Sequence, residues 1–181
     1  QSCDVFFYNV GIKVGVDGLA EAAHLLGYGS MTGIDIPFEK SGLVPTTKWK
    51  KERFGQDWIE SETMSVAIGQ GYNLVTPVQM AKLTAMIANG GYAITPHLGQ
   101  AILNQDGSVF RTVEYPKVET SLTGAESIEW SKKGMIEVVH GYGTAKRLQA
   151  SPFKIAGKTG TAQVIGHESK VRRTQATVNH G

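Results

Sequence analysis

The 181-residue sequence predicts a mixed α and β fold with antiparallel strand pairing. The first observation is a clear helix start, in which Thr76 caps the helix, Pro77 follows and Gln79 completes a capping box. The second is an Asp106-Gly107 turn between two runs of strand-forming residues, which is the pattern of a β-hairpin. A chain of this length can bury a single core, so we expect one domain or part of one.

Composition excludes several classes of protein. Hydrophobic residues make up 41% and charged residues 19% of the sequence, which is ordinary for a globular domain. The net charge of +2 and the lack of basic runs interleaved with aromatics argue against nucleic-acid binding. The sequence has no apolar run of membrane-spanning length and no signal-peptide pattern, and its one cysteine excludes an internal disulfide. Since the sequence opens at Gln1 without methionine, we expect a piece of a longer polypeptide whose anchor lies elsewhere.

The N-terminal part is predicted to be helix followed by irregular chain. Residues 5–12 are apolar and fit a buried helix or a buried strand equally well. A helix is predicted from Asp17 as N-cap to Gly27 as its C-terminal stop. Residues 28–65 are rich in Gly, Pro, Ser and Thr without a sustained period, so we expect a long, irregular connection there.

The C-terminal part alternates between helices and strands. The helix that begins after Thr76 is predicted to be a core element because its apolar residues are small. Thr123 opens a further helix, with Glu126 completing a second capping box, and this helix is predicted to stop before Gly141. The other predicted elements are strands at residues 92–95, 98–104 and 109–114, a loop at 115–122, a short helix at 143–148 and a strand around Lys158.

The segment around Lys158 has the character of a binding edge. Lys158 supplies a positive charge, and Thr159 and Thr161 supply hydroxyl donors at a two-residue spacing. Gly157 and Gly160 leave room for a ligand close to the backbone, since glycine has no Cβ. Together these residues predict an anion-binding site.

Two known motifs contain Gly-Lys-Thr or Lys-Thr-Gly. A phosphate-binding loop is disfavoured because Pro152 stands where that motif requires its first glycine. The alternative is the Lys-Thr-Gly element of penicillin-recognising serine enzymes, which works with a Ser-x-x-Lys and a Ser-x-Asn element. A match of three residues is weak by itself, and a Gly-rich turn without function would explain it equally well.

The rest of the sequence carries a more specific pattern in five segments. They are Ser2-Cys3-Asp4-Val5-Phe6-Phe7-Tyr8, Gly33-Ile34-Asp35-Ile36-Pro37, Ile68-Gly69-Gln70-Gly71, Thr76-Pro77-Val78-Gln79-Met80-Ala81 and residues 157–164. Through these segments the chain, up to about Val164, resembles the transpeptidase domain of class B penicillin-binding proteins of the elongation type. Several independent segments in one order make the resemblance far more specific than either short motif.

The resemblance implies an α+β fold, an antiparallel sheet flanked by helices. It also implies an enzyme that cross-links peptidoglycan by acyl transfer from D-Ala-D-Ala stem peptides and that β-lactams acylate. The implied partners are those stem peptides, β-lactams and, through the parent protein, a membrane glycan polymerase, while no nucleic acid and no cofactor are implied. The implied location is the periplasmic side of the cytoplasmic membrane.

The resemblance also implies roles for the start of the chain. Ser2 would relay protons between the catalytic lysine and Lys158, and Asp4 would face the substrate amide. Cys3 as a metal ligand remains an alternative to the favoured interpretation, a buried and inert cysteine, and no metal site is predicted within the chain.

The Lys-Thr-Gly segment would bind the substrate. Lys158 would attract the substrate carboxylate, and Thr159 and Thr161 would donate hydrogen bonds to it. The Thr161 N–H would form half of an oxyanion hole, with Gly160 keeping that edge open. Gln163 belongs to the same substrate-binding set.

The sequence departs from the family at its start, because the Ser-x-x-Lys element would precede Ser2. The Ser-x-x-Lys match at Ser151 to Lys154 is predicted to be loop, since the lysine leads directly into the Lys158 segment. We therefore interpret residues 1–181 as the C-terminal part of a transpeptidase domain that is inactive alone, with its nucleophile upstream of Gln1. A serine β-lactamase or D,D-carboxypeptidase, a penicillin-sensing binding domain and a purely structural module remain alternatives.

Overall fold

The computed structural model describes residues 2–115, 117–118 and 124–162. The helices in these ranges are α1 (Asp4–Leu25), α2 (Thr47–Phe54), α3 (Glu60–Ala67), α4 (Pro77–Ala88) and α5 (Ala125–His140), followed by a 3₁₀ turn at Lys146–Leu148. The strands are β1 (Ala93–Ile94), β2 (Ala101–Leu103), β3 (Val109–Thr112) and β4 (Lys117–Val118). They form two antiparallel pairs, β1 with β4 and β2 with β3. In none of the described ranges is there a helix with the length and apolar content that a bilayer crossing requires.

Helix α1 contains the apolar run at residues 5–12, so that segment is helical. The predicted N-cap at Asp17 is wrong, because the helix is interrupted earlier, at Gly15, whose φ of 76° and ψ of 158° are not helical. The Asp17 carboxylate instead accepts hydrogen bonds from the Thr47 N–H at 2.9 Å and the Thr47 hydroxyl at 2.7 Å. It thereby ties the start of α2 to α1. Gly27 follows the end of the helix with a φ of 87°, as predicted.

Helices α1 and α3 pack backbone against backbone. Gly11 is buried, and a Cβ at this position would lie 2.5 Å from the Cβ of Ala67. Glycine at this position therefore sets how closely the two helices approach. Val16 and Ala20, which are 4% and 2% exposed, continue the buried face of α1.

The prediction of an irregular connection at residues 28–65 is wrong in part, because α2 and the start of α3 lie within it. Besides their local caps, both helices share a tertiary contact that no local pattern reveals. Lys50 on α2 is buried, and its ammonium lies 2.6 Å from both carboxylate oxygens of Glu62 on α3. Burial by itself raises the pKa of Glu62, but the Ile59 N–H and the Lys50 ammonium outweigh it and hold that pKa below its ordinary value.

Helix α4 begins as predicted, with a complete capping box between Thr76 and Gln79. Its burial differs from the expectation, since Ala81 is exposed while Met86 and Gln79 are each 2% exposed. The Gln79 amide nitrogen donates to the carbonyl oxygens of Ser30 at 2.8 Å and Ser41 at 2.7 Å. Its amide oxygen accepts from the Thr76 N–H at 2.9 Å. One buried side chain therefore connects α4 to both ends of the segment 30–41.

The predicted hairpin is confirmed. Gly107 has a φ of 81° in the turn, and the Asn104 N–H donates to the Ser108 carbonyl at 2.8 Å. The predicted loop at residues 115–122 is wrong at its centre, where β4 pairs with β1. The Thr123 cap lies outside the described residues. Helix α5 ends before Gly141 as predicted.

Asp35, in the second of the family-like segments, fastens the chain after β1. Its carboxylate oxygens accept from the Leu98 N–H and the Gly99 N–H, each at 2.7 Å, and from the Tyr115 hydroxyl at 2.9 Å. The His97 ring stacks on Tyr115 with 3.9 Å between ring centroids. The Gly99 N–H, followed by the Leu98 N–H, lowers the pKa of Asp35 to about 2.

We expect this contact to weaken in acid. The pKa of Asp35 is lower in the folded chain than the value of about 3.9 for an unperturbed aspartate. Its contribution to stability is therefore complete above about pH 4 and is lost as the pH falls through about 2. In NMR spectra the Leu98 and Gly99 amide shifts should titrate with a midpoint near 2.

The Asp35→Asn variant should lose this low-pH titration, since an amide does not ionise and has one oxygen where the carboxylate accepts through two. A midpoint near the unperturbed value of about 3.9 in the native chain would contradict the prediction.

Candidate functional site

Two segments from opposite parts of the chain meet at the start of α1. The Lys158 Nζ lies 3.4 Å from the Ser2 Oγ, although the two residues are 156 positions apart. The same ammonium also donates to the carbonyl oxygen of its neighbour Thr159 at 2.6 Å. Both Ser2 and Lys158 are exposed to solvent. The fold therefore brings together the two residues that were predicted to exchange a proton.

This pair has the chemistry that proton relay requires. The Ser2 hydroxyl can donate one hydrogen bond and accept others, so a proton can enter and leave at the same oxygen. A positive charge on Lys158 stabilises negative charge that develops on that oxygen. Asp4 lies one residue beyond Cys3, in the first turn of α1, where its side chain is exposed.

The segment that carries Lys158 is held by helix α5. Ile155 packs against a core cluster formed by Val138, Val139 and Ala145. The Gly157 N–H donates to the Met135 carbonyl at 3.0 Å. These contacts fix the segment next to the C-terminal half of α5.

The strand predicted around Lys158 is not observed, because described residues 154–162 belong to neither helix nor strand. A strand needs a neighbouring strand for its backbone hydrogen bonds. The backbone hydrogen bond from Gly157 goes to a helix instead.

The backbone beside Lys158 is open to a ligand. A Cβ on Gly157 or on Gly160 would meet no other atom of the described structure within 4 Å. Within the described ranges, the Thr161 N–H donates to no backbone acceptor, and Thr161 is exposed. The space and the donors that the sequence predicts for this edge are therefore available. Gln163 lies outside the described residues.

Two interpretations of single residues have different outcomes. Ser151 lies in a bend, and its hydroxyl accepts from the Phe153 N–H at 3.1 Å, so its interpretation as loop is confirmed. The interpretation of Cys3 as buried is wrong, because the residue precedes α1 and is exposed. As far as the chain is described, no three His, Cys, Asp or Glu side chains cluster as metal ligands would.

One contact at the site was missed by the sequence analysis. The Thr144 hydroxyl lies 2.7 Å from the Thr159 hydroxyl, and both side chains are exposed. Thr144 lies after α5 and 15 positions before Thr159. Two glycines that precede Thr144, Gly141 and Gly143, mark a tight approach but do not identify the partner.

The contact between Lys158 and Ser2, next to an open backbone edge, agrees with the arrangement that the resemblance implies. Residues 1–179 match the penicillin binding protein transpeptidase domain, and the chain belongs to this family. The peptidoglycan D,D-transpeptidase MrdA of Escherichia coli K12 is 40% identical over 168 residues, which cover 92% of this chain and 26% of the relative. The chain thus spans about a quarter of the length of the curated relatives it matches.

Solved structures agree with this assignment. The penicillin-binding protein PBP2 of Helicobacter pylori, in its complex with MreC, is 35% identical with a TM-score of 0.77, covering 91% of this chain and 29% of that one. A chain of a peptidoglycan synthase complex studied for the coordination of polymerization and crosslinking is 38% identical with a TM-score of 0.76, covering 92% of this chain and 27% of that one. The family predicted from the motifs and the α+β fold class are confirmed, and a phosphate-binding loop is excluded.

Proposed function

We propose that the chain contributes the Ser-x-Asp-type and Lys-Thr-Gly elements to a peptidoglycan D,D-transpeptidase. The reaction is acyl transfer from the D-Ala-D-Ala end of a stem peptide, and β-lactams acylate the same site. The observation that carries the proposal is the 3.4 Å contact between Lys158 Nζ and Ser2 Oγ. It is supported by family membership over residues 1–179.

In this proposal Ser2 and Lys158 transfer the proton that the reaction moves from the nucleophile to the leaving group. A serine nucleophile must lose its proton on attack, and the leaving D-Ala amine must gain one. The Ser2 hydroxyl passes a proton toward the leaving amine, and the Lys158 charge lowers the free energy of the anionic state through which it passes.

The other residues of the Lys-Thr-Gly segment hold the substrate. The Thr159 and Thr161 hydroxyls donate to its terminal carboxylate, for which Lys158 provides the opposite charge. The Thr161 N–H supplies one of the donors for the oxyanion of the tetrahedral intermediate. Asp4 and Gln163 bind the peptide part of the substrate.

The same proposal covers the domain, the location and the partner to which the chain belongs. Residues 1–181 are the C-terminal part of the transpeptidase domain, and the chain alone does not react, because its Ser-x-x-Lys match at Ser151 to Lys154 lies in a loop. The complete protein acts on the periplasmic side of the cytoplasmic membrane together with a glycan polymerase. This partner is supported by the similarity to a peptidoglycan synthase complex.

Intact-mass spectrometry after exposure to benzylpenicillin tests the proposal. We expect a stable adduct on the complete protein and none on the chain 1–181. The absence of an adduct on both would contradict a transpeptidase function, and rapid release of hydrolysed drug would favour a β-lactamase. An adduct on the chain itself would show that its nucleophile lies within residues 1–181.

Gly160 gives a further prediction. A Gly160→Ala methyl group would meet no protein atom within 4 Å, so the variant should fold normally. The methyl group would occupy the space in which the substrate approaches the backbone donors, and a displacement of about 1 Å there costs about 100-fold in rate. We therefore expect the acylation rate of the complete protein to fall about 100-fold with an unchanged melting temperature.

Gly134→Ala provides the matched control, since a Cβ at this position of α5 also meets nothing within 4 Å. It should react at the native rate. Equal rates for Gly160→Ala and Gly134→Ala would show that the edge at Gly160 does not face the substrate.

A further inference from the structure

We propose that Thr144 is a positioning residue that orients the hydroxyl of Thr159 toward the substrate carboxylate. This inference rests on the proposed transpeptidase function and adds a residue outside the three motifs of the family. It is carried by the 2.7 Å distance between the Thr144 and Thr159 hydroxyl oxygens.

The direction of this hydrogen bond follows from the chemistry of the ligand. A distance of 2.7 Å is that of a well-formed O–H···O hydrogen bond, in which either oxygen can be the donor. A carboxylate has no proton and can only accept hydrogen bonds. When Thr159 donates its single proton to the carboxylate, Thr144 must donate to Thr159. Thr144 thereby holds the Thr159 proton in the direction of the substrate.

The backbone around Thr144 is fixed on both sides. A Cβ on Gly143 would lie 2.2 Å from the Val138 Cα, so only glycine permits this approach to the end of α5. On the other side, the Ala145 N–H donates to the Val138 carbonyl at 3.0 Å, and Ala145 is 8% exposed. Thr144 therefore projects from a backbone that cannot move far from α5.

The Thr159 segment is attached to the same helix. The Gly157 N–H donates to the Met135 carbonyl at 3.0 Å, and Ile155 packs on the cluster that contains Ala145. Because α5 carries both segments, the distance between the two hydroxyls is set before any ligand arrives. Such preorganisation is what a donor needs to stabilise charge without reorienting during the reaction.

A role in stability alone does not explain the contact. Both side chains are exposed, so water can replace the hydrogen bond at little cost to folding. The Thr144–Thr159 hydrogen bond becomes stronger when Thr159 donates to a carboxylate, because each hydroxyl in a chain of hydrogen bonds polarises the next. The expected effect therefore appears with a charged ligand and not in the unfolding temperature.

The test compares Thr144→Val with Thr144→Ser in the complete protein, using benzylpenicillin and its methyl ester. Valine has the shape of threonine without the hydroxyl, and serine retains the hydroxyl. We expect Thr144→Val to slow acylation by benzylpenicillin about tenfold, the effect of one hydrogen bond to a charged group. With the ester, which carries no carboxylate, Thr144→Val and the native protein should be acylated at the same rate. With benzylpenicillin, Thr144→Ser should retain most of the native rate.

Thr84→Val is the control, since this exposed threonine on α4 also loses a hydroxyl, which donates to the Met80 carbonyl of the same helix at 2.8 Å. It should leave both rates and the melting temperature unchanged. An unchanged rate in Thr144→Val, or an equal loss with both compounds, would overturn the role of Thr144 while leaving the transpeptidase function intact. Failure of the native protein to react with either compound would instead overturn the proposed function and this role with it.

Discussion

Replacing Ser2 by alanine in the complete protein is expected to slow acylation by benzylpenicillin about 100- to 10,000-fold, the range for loss of a positioned acid–base group. Ser2 is exposed, and its hydroxyl contacts the Lys158 ammonium at 3.4 Å, so the change removes a proton carrier without creating a cavity. The melting temperature should stay the same. A time course of adduct formation by intact-mass spectrometry measures the rate.

The Lys158→Met variant tests whether Lys158 and Ser2 act together in a relay or contribute to the rate independently. If the ammonium acts through the Ser2 oxygen, Lys158→Met in the Ser2→Ala background should add little to the loss from Ser2→Ala. The comparison uses the methyl ester of benzylpenicillin, which lacks the carboxylate that Lys158 also attracts. Losses that multiply would contradict a shared role. Ser131→Ala is the control, because this exposed serine on α5 donates to the Ser127 carbonyl of its own helix, at 2.8 Å.

Gln79→Met is expected to destabilise the fold by about 3 kcal/mol, the sum of three hydrogen bonds of a buried side chain at about 1 kcal/mol each. The partners are the carbonyl oxygens of Ser30 and Ser41 and the N–H of Thr76. Methionine fills a similar volume, so the loss reports hydrogen bonding and not a cavity. Urea unfolding of the complete protein, followed by circular dichroism, measures it.

Two variants check this assignment. Gln79→Glu keeps the acceptor for Thr76 but places an oxygen against two carbonyl oxygens, so it should also be destabilising. Gln56→Met, at an exposed position after α2, should change stability by less than about 0.5 kcal/mol. A loss below about 1 kcal/mol in Gln79→Met would show that water replaces the amide.

Elements with local signals were predictable from the sequence. The Thr76 capping box and the Asp106-Gly107 hairpin each depend on residues within a few positions of one another, and both are present in the structure. Helix α2 was missed because its sequence is charged and lacks an apolar period. It is held by contacts of Lys50 and of the distant Asp17.

The candidate site shows the same division. The residue types at Ser2 and Lys158 were recognisable from short motifs, whereas their 3.4 Å contact depends on the whole fold. Thr144 belongs to no motif used in the sequence analysis, and only the position of α5 brings it to Thr159. The strand expected around Lys158 failed because strand assignment depends on a neighbouring strand, which a local pattern does not contain.

The close packing of α1 on α3 at Gly11 has a mechanical consequence. Ser2 leads into α1, which packs on α3, whereas the Lys158 segment is attached to α5. The distance between the Ser2 and Lys158 side chains therefore depends on the separation between the α1–α3 pair and α5. At 3.4 Å this distance is already near the upper limit of a hydrogen bond, so a shift of about 1 Å would break the contact on which the proposed proton relay depends. A force that displaces the α1–α3 pair relative to α5 would thus change the reaction rate.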